Sequence, residues 1–307
     1  MTSTDATPAG MPQAAIHQAG MHRAGVHRAP VGQSGVAPRA TSSAVRTQVT
    51  VGRPRTHAFA QWWALTARGL RAMIRNGEII FAFVAPVLLA ICFYLPLRSI
   101  MDADPTMDYA AFLMPIISLQ SVSFVASSAA MRASVDTTKG INTRFRTMPM
   151  PVAIPTLARF GTNGVLLVIS VICAALTSLV MGWRAAGSVL DTVGLFAVVL
   201  TVGLLIAVLA DALGLLSNSP EATSQALSLP ILVLGLLSTG FVPEDQFPEW
   251  IQPFVRNQPI SQFATSMRAL SDGTATLEIL TPTIWWCVGL AIAGVILTGL
   301  GIRKAVR

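Results

Sequence analysis

Six runs along the chain are apolar enough to be measured against the roughly 20 residues that cross a bilayer core. Residues 79–97, 109–131 and 160–183 contain no Asp, Glu, Lys or Arg. The fourth run, 192–217, is interrupted only by Asp211, the fifth, 223–242, carries Pro230, and the sixth, 279–302, is again uncharged. Runs of this length predict membrane-spanning helices, because hydrocarbon leaves backbone N–H and C=O groups no partner outside a helix or a closed barrel. The expected fold is an all-α polytopic membrane protein with six transmembrane helices.

Ahead of the first run the pattern changes to a helical period. Phe59, Trp62, Trp63, Leu70, Met73 and Ile74 mark one face, while Arg68, Arg71 and Arg75 mark another. Residues 58–77 therefore read as an interfacial helix, its aromatic side in the acyl boundary and its arginines toward phosphate; packing on a soluble partner is the alternative. Residues 1–57 hold little large apolar content and read as a disordered cytosolic tail. His17, His22 and His27 recur there at intervals of five, which does not align them on one helical face. A basic low-complexity tail accounts for them better than a metal-binding His tract.

Composition sharpens this picture. Charged residues make up 11% of the 307 and hydrophobic ones 53%, far from the quarter charged usual in soluble domains. Cys92, Cys173 and Cys287 all lie within apolar runs, which argues against a disulfide framework or a Cys-rich metal site. No secretory leader is visible in the first 50 residues, so the first span is expected to direct its own insertion.

The net charge of +7 raises nucleic acid as a partner until its placement is considered. With the amino terminus inside, 17 of the 21 Lys and Arg fall in inner segments; Arg98, Arg184, Arg256 and Arg268 fall outside, among nine acids. This is the positive-inside bias, and it predicts both termini in the cytoplasm of a plasma (inner) membrane, with no role for nucleic acid. Trp62 and Trp63 lie at the inner boundary, and Trp183, Trp250, Trp285 and Trp286 at the outer one.

Two connections exceed simple turns. The inner one, 132–157, includes Gly140, Arg144, Phe145, Arg146, Met148 and Pro149, a short basic helix candidate broken by prolines and suited to dock in a partner's groove. The outer one, 242–278, alternates apolar turns with Pro243, Pro248, Pro253 and Pro259 around Trp250, which suits interfacial or re-entrant helices.

Three motifs in order carry a resemblance: the inner Gly140…Arg144-Phe145-Arg146-Thr147-Met148-Pro149 segment, the turn Asn218-Ser219-Pro220-Glu221-Ala222, and Ser238-Thr239-Gly240-Phe241-Val242-Pro243 with its Phe247-Pro248-Glu249-Trp250 and Asn257-Gln258-Pro259 continuation. Together, over residues 58–307, they resemble an ABC-2 type transport permease of the daunorubicin-resistance group. The resemblance implies a connecting helix before the first span, a coupling helix between spans two and three, and an outer re-entrant hairpin before span six. It implies a working unit of two permease chains, as homo- or heterodimer, with two ABC ATPase subunits holding ATP and Mg, no cofactor on this chain, and a hydrophobic drug or lipid as substrate. The sequence has no Gly-Lys pair, hence no phosphate-binding loop of its own.

Individual residues have competing readings. Asp211 is an intramembrane acid and a functional candidate by default; its place near the inner end also lets it reach water or an inner arginine. Ser219, Pro220 and Glu221 fit a helix start. The serines of the second run either line a polar path or allow close helix packing, the latter preferred. Glu78 is expected to pair with Arg75 or Arg71. Arg144, Phe145 and Arg146 are the leading candidates for coupling to an ATPase. An intramembrane enzyme lacks support, since every His lies at or before residue 57 and no run holds paired carboxylates. An ion-coupled secondary transporter would call for repeats and several buried ionisable groups.

Overall fold

The structure is a computed structural model and describes residues 57–101, 109–148, 150, 151, 153–217, 219–241 and 244–304. The tail 1–56, together with Pro149 and Pro243, lies outside the described residues. Regular structure among them is entirely helical: α1 (Ala58–Arg75), α2 (Glu78–Met101), α3 (Tyr109–Thr138), α4 (Ile141–Arg146), α5 (Ala153–Val180), α6 (Val189–Leu216), α7 (Pro220–Leu236), a 3-10 turn (Glu244–Gln246), α8 (Gln252–Asn257), α9 (Pro259–Ser271) and α10 (Leu277–Lys304).

Among the described residues five helices are long and apolar enough to cross a membrane: α2 over Glu78–Pro96, α3, α5, α6 and α10. The fifth apolar run forms α7, which has 17 residues, contains Pro230 and ends at Leu236 rather than near residue 242. Its start is as expected: Ser219 Oγ accepts from the Ala222 N–H at 3.3 Å and Pro220 opens the helix. The inner connection is shorter than 132–157, because α3 continues to Thr138 and α5 begins at Ala153. Helix α6 opens with a capping box in which Ser188 and Asp191 satisfy each other's backbone N–H groups.

Helix α3 is the axis of the bundle, packed by α6, α5, α2, α7 and α9. Small residues make the α3–α6 seam: Ala126 and Ala130 cluster with Ala210, and Gly214 lies against Ala130 and Ala133. A Cβ on Gly214 would stand 2.2 Å from the Ala130 carbonyl oxygen, so the backbones touch where hydrocarbon offers no hydrophobic drive to join them. The serine hydroxyls of α3 turn back on their own helix, Ser121 to Ile117 O at 3.1 Å, Ser123 to Leu119 O and Ser127 to Ser123 O at 3.0 Å. Their small size, not cross-helix bonding, is what the packing uses.

Helices α2 and α10 flank this core and expose apolar side chains, among them Ile80, Phe83, Leu88, Trp285, Ile292 and Val295. Helix α1 lies on α5. Its Trp62 donates from Nε1 to Leu157 O at 3.0 Å, Thr66 and Met73 are buried, and Phe59, Trp63 and Ile74 remain exposed.

Candidate functional site

The end of the bundle that carries α1 and α4 gathers charge from five helices. Gly77, at φ 74°, turns the chain from α1 into α2 in a conformation that favours glycine. The turn sends Glu78 inward to Arg132 of α3, with which it forms an ion pair, rather than back to Arg71 or Arg75. Arg132 also donates from Nη2 to Asn163 Oδ1 of α5 at 2.6 Å. Since an arginine only donates, the Asn163 amide is fixed with its nitrogen on the other side, where it is buried and without an acceptor.

A second pair joins α5 to α6. Arg159 Nε stands 3.2 Å and 3.3 Å from the two carboxylate oxygens of Asp211, whose side chain is 1% exposed. Asp211 is therefore paired with an arginine of the neighbouring helix. These groups, with Asp136, line a cavity of about 510 Å³ between α1, α2, α3, α4, α5 and α6. In sequence Arg132 and Arg159 are basic residues flanking apolar runs and Glu78 has Arg75 and Arg71 as its near partners, whereas Asn163 carries no charge at all. An Asn within an otherwise apolar run was the available signal.

The predicted coupling segment sits beside this cavity. Gly140 adopts φ 65° and lets the chain leave α3 for the one-and-a-half turns of α4. The Phe145 ring is half-buried, with the Arg68 guanidinium of α1 5.5 Å from its centroid. Arg144 and Met148 point outward and are exposed. Arg146 ends α4, and Pro149 lies outside the described residues.

At the opposite end, Arg268 of α9 organises the Ser238–Phe241 segment. Its guanidinium donates to Thr239 O at 2.8 Å, Gly240 O at 2.9 Å and Phe112 O at 3.3 Å, and lies 3.9 Å from the Phe112 ring centroid. Burial pushes this group, which is outside the five apolar spans, down to about 10, so it keeps its charge at neutral pH. Ser261 Oγ accepts from Thr239 N–H at 3.0 Å. Pro253 and Pro259 stand in the first turns of α8 and α9, Pro248 O accepts from Ile251 N–H at 3.0 Å, and Trp250 is exposed. Trp183 differs from expectation: it is buried against α9 and donates to Ser271 Oγ at 2.9 Å. Arg268 and Trp183 thus serve packing that charge and aromatic counting assigned to topology.

Among the described residues no three His, Cys, Asp or Glu side chains group as a metal site. The arrangement holds apposed charges and an outward basic loop, with a partly enclosed cavity between them.

Residues 93–300 match the family model described as ABC-2 family transporter protein. The chain is 34% identical over 266 residues to the doxorubicin resistance ABC transporter permease protein of Mycobacterium tuberculosis, covering 80% of this chain and 90% of the relative. It is 29% identical over 255 residues to the daunorubicin resistance ABC transporter permease protein of Streptomyces coeruleorubidus, covering 82% and 87%.

Proposed function

The chain belongs to the ABC-2 transporter family, and on that premise we propose that it is the membrane permease subunit of an exporter that moves hydrophobic drugs or lipids out of the inner leaflet. The energy comes from ATP, bound with Mg on separate ATPase subunits. Two permease chains and two ATPase subunits make the working unit. The names of the relatives, which specify doxorubicin and daunorubicin resistance, support an amphipathic drug as cargo.

In this reading α7 is the fifth of six spans, followed by the proline-rich 242–278 segment, whose α8 and α9 enter the outer leaflet and return without crossing before α10, the sixth. Both termini are cytoplasmic in the plasma membrane, the arrangement the Lys and Arg distribution favours. Helix α1 is the interfacial connecting helix and α4 the coupling helix.

The observation that carries the proposal is α4 itself, a six-residue helix held to α1 through Phe145 and Arg68 while Arg144 and Met148 face away from the bundle. A groove on the ATPase that receives this segment pushes on α1 and α3 together. The charged pairs at their bases pass the displacement to α5 and α6. ATP drives the cycle only by favouring one of two global arrangements.

The test is co-purification. The permease with Arg144→Ala and Met148→Ala is expected to lose its ATPase partner while its thermal stability stays within about 0.5 kcal/mol of the parent, as for surface positions generally. Undiminished association would refute the coupling assignment.

A further inference from the structure

The cavity between α1 and the bundle has unmet hydrogen-bond donors that the coupling role does not use. Arg132 spends Nη1 on Glu78 and Nη2 on Asn163 Oδ1 and is left with further N–H groups. Asn163 lines the cavity, is 2% exposed, and its Nδ2 has no acceptor in a buried position where an unmade hydrogen bond is costly. Arg68 stands at the rim over the face of Phe145 and within charge range of Asp136. All three lining carboxylates already face arginines: Glu78 pairs with Arg132, Asp211 with Arg159, and Asp136 interacts by charge with Arg159, Arg68 and Arg132. What the lining leaves unmet is N–H donors, Asn163 Nδ2 and the remaining N–H groups of Arg132.

Its other wall is apolar. Phe81 and Met131 are exposed and Phe124 is half-buried, so the lining passes from charge near α1 to hydrocarbon-compatible side chains along α2 and α3. At about 510 Å³ the space falls within the range of small-molecule sites. A charged floor with an apolar exit matches a lipid, and not a free anion, which would have no use for the exit.

We infer that this cavity binds the phosphate headgroup of an inner-leaflet lipid, with the acyl chains leaving past Phe81 and Met131. Arg68 and Arg132 donate to the phosphate oxygens, and Asn163, its Oδ1 held by Arg132, offers its unpaired Nδ2–H to the same headgroup. The inference rests on the proposed placement of α1 at the cytosolic interface. It does not depend on α4 binding an ATPase.

The full chain, extracted in detergent and delipidated, is titrated with short-chain phosphatidylglycerol while thermal stability and retained lipid, by native mass spectrometry, are followed. The lipid is expected to stabilise and to be retained, whereas the matching diacylglycerol is not. Asn163→Asp keeps an acceptor for Arg132 but brings a negative charge, and Arg68→Gln removes a rim cation from an exposed position. Each is expected to weaken phosphatidylglycerol binding about tenfold, the loss typical of a charge-assisted bond. Should Asn163→Asp fail to fold, Arg68→Gln decides.

Equal retention of diacylglycerol would overturn the headgroup assignment. Inorganic phosphate that stabilises as strongly as the lipid would overturn the lipid source. Unchanged affinity in the variants would overturn the cavity as the site. ATPase co-purification, measured in the same preparations, reports separately on the proposed function.

Discussion

Removing the Asp211 carboxylate tests whether the base of the bundle is held by charge pairing. The Arg159–Asp211 pair has side chains 16% and 1% exposed, so Asp211→Ala removes the buried carboxylate partner of a guanidinium that is largely shielded from water. Breaking a buried pair from one side costs about 3–5 kcal/mol. Arg159 borders a cavity and Asp136 lies in the same lining, which places the expected loss at the low end, about 3 kcal/mol. For a domain of this size that lowers the melting temperature by about 6–12 °C. Replacing both partners, as in Arg159→Met with Asp211→Leu, removes the attraction and the desolvation penalty together, and is expected to recover most of the loss. The assay is a double-mutant cycle on melting temperature in detergent. A loss under about 1 kcal/mol for Asp211→Ala, or single effects that simply add, would refute the pairing as a structural element.

Other positions give sharper geometric contrasts. Gly214→Ala drives a Cβ to 2.2 Å from the Ala130 carbonyl oxygen, so α3 and α6 must part, at about 1–3 kcal/mol of stability. Gly235→Ala, with nothing within 4 Å of the new Cβ, is expected to be neutral or to stabilise by up to about 1 kcal/mol in the same melting assay. Arg268→Lys replaces a planar fork with a point charge that cannot serve the carbonyls of Thr239, Gly240 and Phe112 together. It is expected to cost about 2 kcal/mol and to speed amide hydrogen exchange in α9, with α5 unaffected.

The apolar runs disclosed the helices because in hydrocarbon length and charge-free composition are the governing requirements. Turn chemistry was equally local: Ser219 with Pro220 starts α7, and Gly140 ends the straight path of α3. Charge pairing across helices was not legible in the same way. Glu78 looks toward Arg75 in sequence, yet the turn at Gly77 hands it to Arg132, 54 positions away. Asn163 escaped notice because a neutral amide leaves no mark in a count of charges, although it joins α3 to α5 through Arg132. Trp183 carried the signature of an interface residue and is instead buried against Ser271, a contact set by how α9 folds back. Helix α7 ends at Leu236, and beyond it the Thr239 and Gly240 carbonyls accept from Arg268, a contact hydropathy does not register.

As proposed, this ABC-2 permease moves its cargo only with ATP spent on a partner chain. Inside-out membrane vesicles holding the permease together with its ATPase, supplied with a fluorescent amphipathic drug, measure it directly. Uptake is expected with ATP, and absent with ADP or with the ATPase removed, whatever the proton gradient. Uptake sustained by a proton gradient without ATP would contradict the account.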